Sequence, residues 1–113
     1  MPAERAKMPS KPSADADTKD LRRQLGRWLK ERRESRGMTQ ADLAEKLGLR
    51  YYSFVSQVEN GLGRIPQDLY APWAEAIDID RSTFGWTVLA HLEPGLYRLL
   101  AEDAPDDLTR HAS

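Results

Sequence analysis

The stretch 39–61 constrains the fold of this chain more than any other, because its pattern predicts two short helices joined by a tight turn. Thr39 is a suitable N-terminal cap for the first helix, and Asp42 supplies most of a capping box. Gly48 lies where a left-handed C-terminal cap is expected. Apolar residues recur at helical spacing on each side of Gly48 and predict one buried face per helix: Leu43, Ala44 and Leu47 first, then Phe54, Val55 and Val58.

The motifs in this stretch resemble those of the phage-repressor-like helix-turn-helix regulators, the XRE family. Two motifs carry the resemblance, which covers about residues 25–79: Thr39-Gln-x-x-Leu-Ala and Phe54-Val-Ser-Gln-Val-Glu-Asn-Gly61. The resemblance implies an all-α fold, a compact five-helix repressor-like DNA-binding domain that is extended here by a short C-terminal helix. Between Gly48 and Gly61 this chain is one residue longer than the usual member. We expect the turn or the start of the second helix to absorb the extra residue near 49–52.

Four segments are expected along the 113 residues. Residues 1–18 contain several prolines and small polar residues and are predicted to be a disordered tail. The alternative is an arm that enters a DNA groove. Residues 19–79 are assigned to the helix-turn-helix domain, residues 80–101 to C-terminal helices that dimerise, and residues 102–113 to an acidic flexible tail.

Helices outside the motif are predicted from apolar spacing and from helix breakers. The first should run from about Asp20 to Arg36. The fourth should span residues 67–77, with Pro72 either kinking it or dividing it into two pieces. The fifth should follow a cap at Asp80 or Ser82.

Composition argues against several classes of function. The chain has no cysteine and only two histidines, His91 and His111, neither with a ligand-like neighbour, so we expect no disulfide, metal site or cofactor. No catalytic triad, carboxylate pair or phosphate-binding glycine loop occurs at usable spacing, so we expect no enzyme. No stretch is apolar enough to span a bilayer and no signal-peptide core is visible, which predicts a cytoplasmic location.

Charge is distributed unevenly, although the formal net charge is only −1. From Lys19 to Arg64 the chain has 11 cations and 6 anions, whereas carboxylates predominate after Pro66. This division suits a protein with one face toward DNA phosphates and an acidic half toward a protein partner.

The second motif helix is predicted to enter the major groove of double-stranded DNA, where base edges can be read. Glutamine can pair bidentately with adenine, and tyrosine can pack against a thymine methyl group. The candidate base-reading residues are Tyr52, Ser53, Ser56 and Gln57. Tyr51 either joins this surface or folds back into the core. Candidates for contacts with the DNA backbone are Gln40, Arg50, Asn60 and Arg64.

The resemblance also implies a structural ion pair. In XRE-type domains the arginine seven residues before the motif glutamine pairs with the glutamate of the Glu-Asn-Gly sequence; here these residues are Arg33 and Glu59. Their pairing would tie the first helix to the end of the recognition helix. Such a buried pair fixes geometry more reliably than it adds stability.

A homodimer is expected because two recognition helices must reach half-sites about 34–36 Å apart. The segment after Ile79, with a last short helix from Leu96 to about Ala101, holds more apolar residues than closing the core requires. We assign to the dimer interface Phe84, Trp86, Val88, Leu89, Leu92, Leu96 and Leu99. The alternative is that this segment only covers the core.

The sequence therefore predicts a dimeric, sequence-specific transcriptional regulator, a repressor that reads an inverted-repeat operator in the major groove. Two alternatives stay open. One is an antitoxin-type autorepressor whose acidic half binds a toxin. The other is a helix-turn-helix module that binds proteins and not DNA, which the weak net charge and the lack of Arg and Lys on the exposed part of the second motif helix keep open.

Overall fold

The computed structural model describes residues 17–102, and within them the chain forms six α-helices, one 3-10 helix and no β-strand. The predicted all-α fold is therefore confirmed. The helices are α1 (Thr18–Ser35), α2 (Gln40–Lys46), α3 (Ser53–Glu59), the 3-10 helix (Gln67–Leu69), α4 (Tyr70–Ala76), α5 (Arg81–Leu92) and α6 (Pro94–Glu102). The predictions for the two tails lie outside the described residues, except at Asp17, Thr18 and Glu102.

Helix α1 begins and ends where side-chain and backbone chemistry stop a helix. The carboxylate of Asp17 accepts a hydrogen bond from the backbone N–H of Lys19 at 3.1 Å. Because of this cap, α1 begins at Thr18, earlier than predicted. Beyond its end, Gly37 has a φ of +70°, a conformation that a residue with a Cβ rarely adopts. The buried face of α1 contains Leu21, Leu25, Trp28 and Leu29.

The two motif helices α2 and α3 are joined by residues 47–52. The backbone N–H of Asp42 donates to the Thr39 hydroxyl at 3.0 Å, and the N–H of Thr39 donates back to the Asp42 carboxylate at 2.9 Å. These bonds complete the capping box, and the bond from the Thr39 backbone lowers the pKa of Asp42. Gly48 turns the chain with a φ of +71°. Since α3 begins only at Ser53, the positions 49–52 where the extra residue is expected lie in the connection and not in α3.

The region around Pro72 corresponds to the second predicted alternative, in which two helical pieces meet. The 3-10 helix ends at Leu69, and α4 begins at Tyr70. Pro72 therefore lies in the first turn of α4. Backbone N–H groups of a first turn have no acceptor within the helix, so the missing N–H of proline breaks no hydrogen bond there.

The C-terminal helices begin at defined caps. The carboxylate of Asp80, not the hydroxyl of Ser82, caps α5 and accepts hydrogen bonds from the backbone N–H and the hydroxyl of Thr83 at 2.9 and 2.8 Å. Helix α6 begins at Pro94, before the predicted Leu96. Proline is well tolerated at the first helical position because the N–H it lacks would be unpaired anyway.

Helix α5 supplies core residues that the sequence had assigned to a partner. Phe84, Val88 and Leu92 are 2%, 5% and 9% exposed and pack in the same apolar cluster as Trp28 of α1 and Trp73 of α4. These three side chains are therefore committed to the core of the chain itself, and a dimer interface stays a prediction for the other four residues. The three residues recur at helical spacing and therefore share one face of α5. This face packs against both α1 and α4.

Gly26 marks a close approach between α1 and the end of α3. A Cβ placed on Gly26 would overlap the backbone oxygen of Glu59 and would lie 2.6 Å from its carbonyl carbon and 2.7 Å from the oxygen of Val58. Only a residue without a side chain fits between the two backbones. Gly61 makes the reciprocal approach, since its Cβ would lie 3.0 Å from the backbone nitrogen of Arg23.

His91 is fully buried on α5. Its Nδ1 lies 2.8 Å from the carbonyl oxygen of Thr87, which can only accept, so Nδ1 carries the proton and donates. Its Nε2 is buried and has no hydrogen-bond partner among residues 17–102. Desolvation lowers the pKa of His91 below its ordinary value of 6.5, and the bond to Thr87 opposes this effect without cancelling it.

We expect acid to destabilise the protein through His91. Below pH 6.5 the unfolded chain binds a proton at this residue more readily than the folded chain does, because the pKa of His91 is lower in the folded state. The contribution of neutral His91 to the free energy of unfolding is therefore fully present above that pH. Below it, the free energy of unfolding falls by up to about 1.4 kcal/mol per pH unit, until His91 is protonated in the folded state as well. Urea unfolding between about pH 7.5 and pH 5.5 should show a smaller decrease for His91→Gln than for the wild type. Equal decreases would contradict the assignment.

Candidate nucleic-acid interface

The polar side chains predicted to read bases lie along one surface of α3. Ser53 and Gln57 are exposed, and Ser56 is half-buried. The side-chain amide of Asn60 donates to the hydroxyl of Ser56 at 3.3 Å, which orients both residues along this surface. Val55 and Val58 are buried on the opposite side of the helix. One face of α3 is therefore committed to the core, and the other offers hydroxyl and amide groups to solvent.

Two tyrosines project at the N-terminal end of α3. Tyr51 is 67% exposed and Tyr52 is 57% exposed, so Tyr51 does not fold back into the core. The guanidinium carbon of Arg50 lies 5.9 Å from the centre of the Tyr51 ring, within reach of a cation–π interaction. The connection 47–52 therefore presents two aromatic rings and a cation beside the polar face of α3.

The orientation of α3 relative to α1 is set by a buried ion pair. Arg33 Nε and Nη2 donate to the two carboxylate oxygens of Glu59 at 2.8 and 3.0 Å, and both residues are 5% exposed. The third donor, Nη1, bonds to the carbonyl oxygen of Met38 at 2.6 Å. The hydrogen bond with Glu59 raises the pKa of Arg33, so the guanidinium stays charged. This is the pair that the family resemblance implies.

Gln40 extends this cluster to the start of α2. Its side-chain amide donates to Oε1 of Glu59 at 3.1 Å. Sequence reasoning placed Gln40 at a DNA phosphate and missed this bond, because the two residues are 19 positions apart. An amide group has two N–H donors, so one remains for a phosphate oxygen. The contact of Gln40 with DNA stays a prediction.

The remaining candidates for backbone contacts flank α3. Arg50 precedes it, and Asn60 is its C-cap; both are exposed. Arg64 lies in the following loop and forms an ion pair with Glu93, with 2.9 Å between Nη2 and Oε1. Among the described residues α3 itself carries no Arg or Lys, so cations for phosphate contacts must come from its flanks.

Sequence reasoning missed the role of Gly26. A glycine in the interior of a long amphipathic helix weakens that helix, and this was the available signal that packing requires it there. The close approach at Gly26 and the Arg33–Glu59 pair hold the same end of α3, one through backbone contact and one through side chains.

The described part of the chain has neither a metal-binding cluster nor a membrane-spanning helix. Residues 17–102 hold no group of three or more His, Cys, Asp or Glu side chains arranged to bind a metal ion. No helix in the same range is both long and apolar enough to cross a membrane.

The geometry agrees with a comparison against known protein families. A family described as Helix-turn-helix matches residues 29–84, a span that begins within α1 and ends within α5 and contains every residue of α2 and α3. No curated protein matches the chain. The matched span includes both motifs and both residues of the buried Arg33–Glu59 pair. The chain belongs to the XRE-type helix-turn-helix family of DNA-binding transcriptional regulators.

Proposed function

We propose that this protein is a dimeric repressor that reads an inverted-repeat operator with α3 in the major groove. The observation that carries the proposal is the two-sided character of α3. One side is buried in the core, and the other exposes Ser53 and Gln57 while Arg33 and Glu59 hold the helix in place. A rigid helix with a polar outer face suits base reading, because base contacts must be made at fixed positions.

Affinity is expected to come from the flanks of α3 and specificity from its centre. Arg50 and Arg64 supply charge for phosphates, and Asn60 and Gln40 supply amide donors. Phosphate contacts position the protein without reading sequence, whereas Gln57 can distinguish adenine through two hydrogen bonds. Tyr52 and, by its exposure, Tyr51 are placed to contact a thymine methyl group or a phosphate.

Gln57→Ala should weaken binding to the operator by about 1–3 kcal/mol and leave binding to mixed-sequence DNA almost unchanged. The reason is that the lost amide contacts a base and not a phosphate. Fluorescence anisotropy with both duplexes measures the two affinities. Gln67→Ala is the matched control, because Gln67 is an exposed glutamine on the 3-10 helix, outside the motif. An equal loss on both duplexes would rule out base reading by Gln57.

The dimer is proposed to form through the outer faces of α5 and α6. None of the nine residues of α6 is buried. Its apolar residues Leu96 and Leu99 are 46% and 60% exposed. Trp86 and Leu89 of α5 are half-buried, and the Trp86 ring makes an edge contact with Tyr97 of α6 at 6.0 Å between centroids. An apolar helix face of this kind is usual at an interface between copies.

Leu99→Glu is expected to give a folded monomer, because the leucine is exposed and its replacement disturbs no core contact. Sedimentation equilibrium compares the variant with the wild type at the same concentration. Leu62→Glu is the matched control: it adds the same charge at a 77% exposed leucine outside α5 and α6, and it should leave the dimer intact. A Leu99→Glu variant that dimerises like the wild type would contradict this interface.

The proposal as a whole is tested by selecting genomic DNA fragments on the purified protein at two salt concentrations. An enriched inverted repeat whose binding weakens with salt is the expected result, because phosphate contacts release counterions. Half-sites about 34–36 Å apart would support the dimer. Absence of enrichment at both salt concentrations would favour the alternative, a helix-turn-helix module that binds proteins and not DNA. The observation that supports this alternative is the lack of Arg and Lys on α3.

A further inference from the structure

Arg64 is held by a carboxylate of the C-terminal helices. The distance between its Nη2 and Oε1 of Glu93 is 2.9 Å, and the two side chains are 50% and 53% exposed. The residues are 29 positions apart in the sequence. The pair therefore links the loop after α3 to the junction of α5 and α6.

The loop that carries Arg64 lies against the proposed reading helix. The backbone N–H of Leu62 donates to the carbonyl oxygen of Gln57 at 2.8 Å. A Cβ on Gly63 would lie 3.7 Å from the Cβ of Gln57. On the other side of Arg64, Ile65 is buried in the core. The two residues before Arg64 therefore contact α3 at Gln57, and the residue after it is fixed in the core.

The backbone of Glu93 is held by both C-terminal helices. Its N–H donates to the carbonyl oxygen of Leu89 in α5, and its carbonyl oxygen accepts from the N–H of Tyr97 in α6, each at 2.9 Å. The Glu93 carboxylate is therefore presented to Arg64 from a defined position. A guanidinium binds carboxylate and phosphate oxygens through the same N–H donors, so the two anions are alternative partners for it.

We propose that Glu93 competes with DNA phosphate for Arg64 and thereby lowers the affinity of the interface for DNA. Glu93 is a positioning residue that acts through Arg64 and does not itself contact DNA. It also connects the proposed DNA face to the helices proposed to bind a second copy. The inference rests on the proposed function, since it concerns a phosphate contact of the same interface.

The test is a mutant cycle measured on a short mixed-sequence DNA duplex over a series of salt concentrations. Glu93→Gln should raise the affinity about two- to fivefold, the range expected from a half-exposed ion pair. It should also steepen the dependence of log affinity on log salt by about 0.9, which corresponds to one freed phosphate contact. In an Arg64→Gln background the same substitution should produce neither effect.

A matched control separates this competition from the general effect of removing a negative charge. Glu75→Gln breaks an exposed ion pair of the same kind, in which Arg81 Nη2 lies 2.7 Å from Glu75 Oε1. Equal gains for Glu93→Gln and Glu75→Gln, or a gain that persists without Arg64, would overturn the inference and leave the proposed function intact. Failure of every variant and of the wild type to bind the duplex at low salt would overturn both.

Discussion

Glu59→Ala is expected to lower the free energy of unfolding by about 3–5 kcal/mol, the usual effect of removing one partner of a buried ion pair. Arg33 is 5% exposed in the wild-type structure, and the substitution leaves its guanidinium without the carboxylate that pairs with it. It also removes the acceptor of the Gln40 amide. The cost is large because a buried charge loses its compensation and is not returned to water.

Urea unfolding of the wild type and two variants measures this effect. Glu75→Ala is the matched control, because it removes a carboxylate from an ion pair whose side chains are 73% and 64% exposed. Such a surface pair contributes about 1 kcal/mol at most. If Glu59→Ala unfolds at the same urea concentration as Glu75→Ala, the buried pair does not hold α1 to α3.

A double substitution refines the interpretation. Arg33→Met with Glu59→Leu removes both charges and replaces them with apolar groups of similar length. The pair of changes should recover much of the stability lost in Glu59→Ala, since no charge is then left uncompensated. DNA affinity is not expected to recover with it, because the bidentate bond that sets the angle of α3 is absent.

Gly26→Ala is expected to destabilise the protein by about 2 kcal/mol or more, in the range of severe overpacking. The added methyl group would overlap the backbone oxygen of Glu59 and crowd that of Val58. Backbone atoms cannot move aside as a flexible side chain does, so α1 and α3 must separate. This effect has to exceed a gain of about 1 kcal/mol, because alanine is the better helix former.

Gly85→Ala is the matched control for Gly26→Ala. Gly85 lies within α5, and apart from its chain neighbours and the backbone of α5, no atom of residues 17–102 would lie within 4 Å of a Cβ there. The control should therefore raise the melting temperature through helix propensity alone. Opposite shifts in melting temperature for the two variants are the expected result. A stabilised Gly26→Ala would show that the two backbones do not approach each other as described.

Both substitutions act at the same end of the reading helix. Gly26 fixes the distance between α1 and α3 through backbone contact. Glu59 fixes the angle between them through its ion pair with Arg33. A shift of α3 relative to the remaining domain would displace Gln57 from its base. We therefore expect both variants to bind the operator less well than their residual stability alone would suggest.

Some features could be predicted because they depend on residues close together in the chain. The capping box of Thr39 and Asp42 and the turn at Gly48 are decided by the atoms within one helical turn. The helical repeat of apolar residues was sufficient to predict the all-α fold. The helix-turn-helix family followed from two short motifs and was confirmed by the family match to residues 29–84.

Other features depend on which helices meet, and sequence spacing does not contain that information. Phe84 and Leu99 are both apolar residues at helical positions, yet the first is 2% exposed and the second 60%. The difference arises because α5 packs on α1 and α4, whereas α6 packs mainly along α5 and buries none of its residues. No pattern within either helix distinguishes these two environments.

The sequence of this protein determined its helices, their caps and its family, since these follow from local hydrogen bonding and from the period of apolar residues. Tertiary structure determined that Gly26 must lack a side chain, that Gln40 bonds to Glu59 and that Arg64 pairs with Glu93. The physical reason is that each of these contacts joins residues at least 19 positions apart. Such contacts exist only after the packing of α1, α3 and α5 has brought distant parts of the chain together.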